Sequence, residues 1–221
     1  MASLAPLRIA ELLTSRFCHD LITPIGAINT GLELFEETPL THGNDSRDIL
    51  DLILHSAQAA SARLCFYRQA FGSSSTMISF GDARHLIEQY YTRTKMEFQW
   101  QDPFQPELLL NACGRILFNA VLWLAECAPR GGKLHIIYGA SKGSPKEDTP
   151  EDAPTLLLRL KADGIILHQG TLEALKGQAT LSELTPRTIP CHLIHCLVQE
   201  NKQDLSVHRT PSELFLEIRV M

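Results

Sequence analysis

Long apolar runs are absent from this chain of 221 residues. No stretch approaches the roughly 20 consecutive apolar residues that a membrane-spanning helix needs, so we expect no association with a membrane. Residues 1–8 contain no basic segment followed by an apolar core, so we expect no signal peptide. The cytoplasm is therefore the expected location.

Basic residues are also too few to give the protein an excess of positive charge. The 20 Lys and Arg residues are outnumbered by 25 Asp and Glu residues, and the formal net charge is -5. A nucleic-acid-binding surface must neutralise phosphate groups with basic side chains. We therefore expect no nucleic acid partner.

The six cysteines include no Cys-x-x-Cys pair. Most of them lie within apolar helical patterns, which favours buried free thiols in a reducing compartment. The two cysteines and two histidines within residues 191–196 match no structural zinc spacing, and a helix interior is the preferred interpretation. We therefore expect no metal site.

Helical periodicity dominates the first third of the chain. Apolar residues recur at steps of three and four within residues 4–37, which predicts a long helix; this stripe is Leu13, Phe17, Leu21, Ile25, Ile28, Leu32 and Phe35. Pro39 and Gly43 break the pattern, and a second helix follows over residues 46–71. Two long helices joined by a short loop form an antiparallel hairpin. Because one hairpin leaves apolar flanks uncovered, we expect a homodimer that completes a four-helix bundle.

The pattern changes after the Gly- and Ser-rich residues 72–76, which have the composition of a linker. The sequence predicts short strands alternating with helices in the remainder of the chain. The expected strands are 77–80, 95–100, 133–138, 155–162, 206–209 and 213–220, and the expected helices are 82–92, 106–128, 171–176 and 189–203. We predict an α+β protein with a helical hairpin domain at 1–73 and a mostly antiparallel α/β sandwich domain at 77–221.

His19 is the candidate functional residue of the first helix. It lies two residues from both Phe17 and Leu21, so it projects away from the apolar stripe. A histidine on a helix is usually only a solvated surface residue. Here Asp20 follows it directly, and Pro24 follows inside the helix, where proline costs roughly 3 kcal/mol and needs a reason. This context favours a functional imidazole, with Asp20 either orienting the ring or serving as a surface charge.

The two halves together resemble a sensor histidine kinase. The His19-Asp20-Leu21-Ile22-Thr23-Pro24 motif is similar to the phosphoacceptor motif of the kinase hairpin, and residues 111–120 are similar to the kinase helix that carries the Mg-ATP-binding asparagine. Asn111 and Asn119 are either remnants of that nucleotide site or ordinary polar residues of a helix. The glycine-rich loops that cradle nucleotide phosphates are missing, because residues 161–167 contain one glycine and residues 185–190 contain none.

A kinase-like chain without its phosphate cradle resembles the ChpT-type histidine phosphotransferases of bacterial phosphorelays. The resemblance implies that His19 takes phosphate from the receiver domain of a hybrid histidine kinase and passes it to aspartates of response regulators, of the cell-cycle type. It also implies that Mg²⁺ belongs to the receiver and that this chain needs no cofactor, so it is a phosphocarrier rather than an ATP-dependent kinase. An ATP-using histidine kinase and a phosphate-free adaptor for receiver domains remain the alternatives.

The face of the first helix around His19 is the expected docking surface for a receiver domain. We call it the docking face, and it consists of Ser15, Ile22, Thr23, Gly26, Thr30 and Glu33. Most of these side chains are small or polar. Gly26 lowers helix stability by up to ~1 kcal/mol relative to alanine, which favours a position where a partner approaches closely. The alternative is that Gly26 merely relaxes strain after Pro24.

Overall fold

The computed structural model describes residues 5–37, 43–72, 78–101, 108–109, 111–140 and 154–219. Its helices are α1 (Ala5–Glu37), α2 (Gly43–Phe71), α3 (Phe80–Tyr90), α4 (Asn111–Glu126), α5 (Thr171–Leu175) and α6 (Ile189–Glu200). Its strands are β1 (Ile78–Ser79), β2 (Met96–Gln101), β3 (Leu108–Leu109), β4 (Gly132–Ala140), β5 (Pro154–Lys161), β6 (Asp204–Arg209) and β7 (Glu213–Arg219). The predicted α+β architecture, a helical hairpin followed by an α/β sandwich, is confirmed. No helix in these ranges has the length and apolar character to span a bilayer.

The hairpin helices approach closely where α1 carries a glycine. A Cβ atom on Gly31 would lie 2.6 Å from Cγ1 of Ile53, so only a glycine allows this approach. The buried line of α1 differs from the predicted stripe, because Leu12, Arg16, Pro24 and Gly31 are buried. Members of the stripe are half-buried or exposed. The line is shifted because α1 packs against both α2 and the sandwich.

The main sheet of the described residues has the strand order β2-β4-β5-β7-β6. Strands β2 and β4 are parallel, and the other neighbours are antiparallel. The prediction of a helix starting at residue 106 is wrong, since Leu108–Leu109 forms a strand and α4 begins at Asn111. These two leucines pair with Ile78–Ser79 in a small antiparallel sheet, so tertiary pairing overrides the local helical pattern.

Helix α4 forms the centre of the sandwich core. Residues 116–124 are all buried, which fits a helix that is apolar on most of its faces. The sheet covers one side of α4 with alternating buried side chains, such as Leu156, Leu158 and Leu160 of β5. Helices α2 and α6 pack against other sides. This arrangement fixes the end of the hairpin relative to the sheet.

The C-terminal end of α2 is anchored in the sandwich. Phe66 is fully buried, and its ring centroid lies 4.9 Å from that of Phe118 and 4.3 Å from that of Tyr90. The buried Asn119 side chain donates a hydrogen bond of 2.9 Å to the carbonyl oxygen of Ala70. Asn119 therefore holds the hairpin backbone, which is a structural role.

Candidate functional site

His19 extends from α1 into solvent beside Asp20. Its side chain is 88% exposed, as expected from its position opposite the apolar stripe. Its Nδ1 atom lies 2.9 Å from Oδ1 of Asp20. Because a carboxylate only accepts hydrogen bonds, this contact assigns the proton of the neutral imidazole to Nδ1 and leaves the lone pair on Nε2.

The second oxygen of the Asp20 carboxylate faces the interior. Oδ2 accepts a hydrogen bond from the hydroxyl of Tyr67 on α2, and that hydroxyl lies 2.9 Å from the hydroxyl of Tyr90 at the end of α3. Burial raises the pKa of both tyrosines above the ordinary value, so both hydroxyls stay neutral and able to donate. Asp20 is thus linked directly to α2, and through Tyr67 to α3 of the sandwich.

An ion pair joins α1 to α4 one turn before His19. Arg16 is 7% exposed, and its Nη2 donates a hydrogen bond of 2.6 Å to Oε1 of Glu126. Its Nη1 donates to the carbonyl oxygen of Pro186 at 3.0 Å. Burial is the largest single effect and works to lower the pKa of Arg16, but the charge of Glu126, the hydrogen bond to Glu126 and the neighbouring Tyr67 and Tyr90 together outweigh it, so the pKa is raised. Arg16 therefore stays charged and fixes the hairpin against the sandwich.

His19 lies at the edge of an open cleft of about 570 Å³ between α1 and the sandwich. The cleft is lined by residues of α1, of the C-terminal end of α4 and of the segments around α5 and α6. These are Ser15, Arg16, His19, Asp20, Glu126, His168, Gln169, Thr185, Pro186, Arg187 and Thr188. An exposed imidazole beside an open cleft can meet a large partner, whereas an enclosed pocket would suit a small substrate.

Known proteins identify the family. The family model for the histidine phosphotransferase C-terminal domain matches residues 80–213. The protein phosphotransferase ChpT of Brucella abortus (strain 2308) is 32% identical over 215 residues, which cover 96% of this chain and 95% of that protein. The chain belongs to the histidine phosphotransferase family. The 1.7 Å structure of a bacterial phosphotransferase superposes on this histidine phosphotransferase with a TM-score of 0.77 at 34% identity, covering 98% of each chain.

The residues of this phosphotransferase that the sequence singled out share one surface of α1. His19 contacts Asp20, and every member of the docking face is exposed. Ile22 is 68% exposed although it is apolar. A Cβ atom on Gly26 would meet nothing within 4 Å, so space for a partner exists there.

Sequence reasoning missed the residues that support Asp20 and α1 from behind. Tyr67 fits the apolar spacing of a helix, and nothing in the sequence singles out its hydroxyl or that of Tyr90. Arg16 lies three residues before His19, but nothing in the sequence indicates its partner Glu126. These pairs are 47 and 110 residues apart in sequence, and no local spacing signals them.

The cysteines and histidines of α6 point in different directions. Cys191 is buried, whereas Cys196 is exposed and its Sγ lies 3.6 Å from Nε2 of His192. Across the ranges that the structure describes, no three His, Cys, Asp or Glu side chains converge as metal ligands.

Proposed function

We propose that this chain carries phosphate on Nε2 of His19 in a bacterial phosphorelay. The observation that supports this most is the exposed imidazole whose Nδ1 lies 2.9 Å from the Asp20 carboxylate. Nε2 attacks the phosphorus of an aspartyl phosphate on a donor receiver domain. The N–P bond forms, the P–O bond breaks, and the donor aspartate leaves as a carboxylate. The proton stays on Nδ1, hydrogen-bonded to the Asp20 carboxylate, whose negative charge offsets the positive charge on the phosphorylated ring.

The second step reverses the first. An aspartate of an acceptor receiver attacks the phosphorus, and the N–P bond breaks. We propose the receiver domain of a hybrid histidine kinase as donor and response regulators of the cell-cycle type as acceptors. The receiver brings the Mg²⁺ that neutralises the transferring phosphoryl group, and this chain supplies no cofactor. Because the glycine-rich loops that cradle nucleotide phosphates are missing, calorimetry with Mg-ATP should show no saturable heat. Micromolar binding of ATP would instead support the alternative of an ATP-using histidine kinase.

Transfer of labelled phosphate from a receiver tests the proposal. His19→Ala should abolish acceptance, whereas His55→Ala should accept at the wild-type rate, because His55 is an exposed histidine on the other hairpin helix. The adduct should be labile in acid and stable in base, as a phosphoramidate is. Receiver binding by the wild type without any transfer of label would favour the adaptor alternative.

We further propose that the receiver contacts the docking face. Its exposed position next to His19 and the open space at Gly26 support this surface. Ile22 offers an apolar anchor for a small transient contact.

We also propose that two hairpins associate into a four-helix bundle. Large apolar side chains are exposed on both helices, among them Ile25, Leu32, Leu50, Leu54 and Leu64. An exposed apolar patch of this kind marks an interaction surface, and a second copy of the hairpin would cover it. Ile53 lies outside the proposed interface, because it packs against Gly31 inside the hairpin. We propose the cytoplasm as the location, because six free cysteines are typical of a protein in a reducing compartment.

A further inference from the structure

Two tyrosines that take no part in the proposed phosphotransfer steps, Tyr67 and Tyr90, connect the Asp20 carboxylate to the protein interior. A carboxylate cannot donate, so the Tyr67 hydroxyl donates its proton to Oδ2 of Asp20. The Tyr67 oxygen then accepts from the Tyr90 hydroxyl at 2.9 Å. Both donors therefore point along one chain toward the carboxylate, from α3 through α2 to α1.

The arginines next to this chain of hydrogen bonds interact with groups other than the Asp20 carboxylate. Arg16 pairs with Glu126 at 2.6 Å, so its charge is offset next to the tyrosines. The guanidinium of Arg63 lies over the ring face of Tyr90, 5.9 Å from its centroid. Tyr67 is thus the donor that the structure gives to Oδ2.

The packing of the Tyr67 ring fixes where its hydroxyl lies. The ring is buried, with an edge-to-face contact to Phe17 at 4.7 Å and a stacked contact to Phe71 at 5.5 Å between centroids. An aromatic ring clamped in this way has little rotational freedom. Its hydroxyl is therefore a fixed anchor, in contrast to the solvent-exposed ring of His19.

We propose that Tyr67 and Tyr90 are positioning residues, which hold the Asp20 carboxylate so that Oδ1 faces Nδ1 of His19. The proposal rests on the function proposed above. An aspartate on a helix surface can rotate about its side-chain bonds. An anchor on Oδ2 selects one orientation, which keeps the proton on Nδ1 and the lone pair on the Nε2 atom that accepts phosphate.

Conservative variants of the full chain test this role. Tyr67→Phe and Tyr90→Phe each remove one oxygen and keep the ring. Tyr91→Phe is the matched control, because Tyr91 is the chain neighbour of Tyr90 and its ring contacts Phe98 at 5.3 Å. Nitrogen NMR of the His19 ring in the free protein reports which nitrogen carries the proton. Phosphotransfer from a phosphorylated receiver gives kcat and KM.

We expect Tyr67→Phe to shift the His19 tautomer toward Nε2–H and to lower kcat about tenfold at unchanged KM. Tyr90→Phe should shift the tautomer less and lower kcat about two- to threefold, and it also decides the question if Tyr67→Phe does not fold. Tyr91→Phe should match the wild type. A wild-type tautomer and kcat in both test variants would overturn the proposal, as would a rise in KM alone. If the wild type accepts no phosphate, the proposed function fails. The His19 tautomer in the free Tyr67→Phe and Tyr90→Phe variants then still decides whether the tyrosines position Asp20.

Discussion

Replacing Arg16 with methionine should destabilise the protein by breaking the link between α1 and α4. The substitution keeps a long apolar stem but removes the hydrogen bonds of Arg16 to Glu126 and to the Pro186 carbonyl. Losing one partner of a fully buried ion pair costs about 3–5 kcal/mol. Because Glu126 is 30% exposed and can recover some hydration, we expect a loss of about 2–3 kcal/mol in the free energy of unfolding.

Urea and thermal unfolding measure this loss. For a chain of this size, the loss corresponds to a fall in Tm of roughly 5–10 °C. Arg8→Met is the matched control, because Arg8 also lies on α1 and reaches the carbonyl oxygen of Leu184 at 3.4 Å, but its pair with Glu11 is exposed. Exposed pairs contribute less than about 1 kcal/mol. Equal effects of Arg8→Met and Arg16→Met would refute the reasoning that burial gives the Arg16 pair its importance.

Three further predictions concern the surface of α1, the hairpin and the thiols. Gly26→Leu and Ile22→Asp should each slow phosphotransfer at least about tenfold without lowering Tm, and wild-type rates in both would show that the receiver docks elsewhere. Light scattering should give about twice the chain mass of 24.7 kDa, and Leu54→Asp should reduce it to the monomer value. A monomer mass for the wild type would show that the hairpins do not associate. Cys18 should react with a maleimide at once, whereas Cys127, whose pKa burial raises to about 12, should react only on unfolding; early labelling of Cys127 would contradict its burial.

The neighbouring positions of His19 and Asp20 on one helix could be predicted from the local sequence. His19 and Asp20 are adjacent on one helix, and helical geometry alone directs His19 away from the stripe. The contact from Asp20 to Tyr67 depends on how α2 folds back on α1. An aromatic residue at helical spacing fits an apolar stripe equally well, so its hydroxyl carried no signal.

The buried line of α1 was less predictable for a related reason. A periodic stripe identifies an amphipathic helix, but it does not tell which neighbour covers each side. Arg16 is buried only because Glu126 comes from a helix far along the chain. Ile25 and Leu32 belong to the predicted apolar stripe of the first helix, and both are exposed in a single chain. The predicted domain boundary between residues 73 and 77 remains a prediction.

The strand at Leu108–Leu109 illustrates how tertiary pairing limits sequence reasoning. Two apolar residues next to a strongly helical segment have the same periodicity as that helix. Their partners in β1 lie 29 and 31 residues away, in the pairs Ser79–Leu108 and Ile78–Leu109. In contrast, β7 alternates between buried and half-buried residues along its length, and its position was predicted closely.

The most direct test of the account is to locate the phosphate after transfer. The wild-type chain is mixed with a phosphorylated receiver, and phosphorus and nitrogen NMR identify the atom that carries phosphate. The account predicts one phosphoramidate, on Nε2 of His19. Phosphate that stays on the receiver, or that settles on another histidine or on Nδ1, would contradict it.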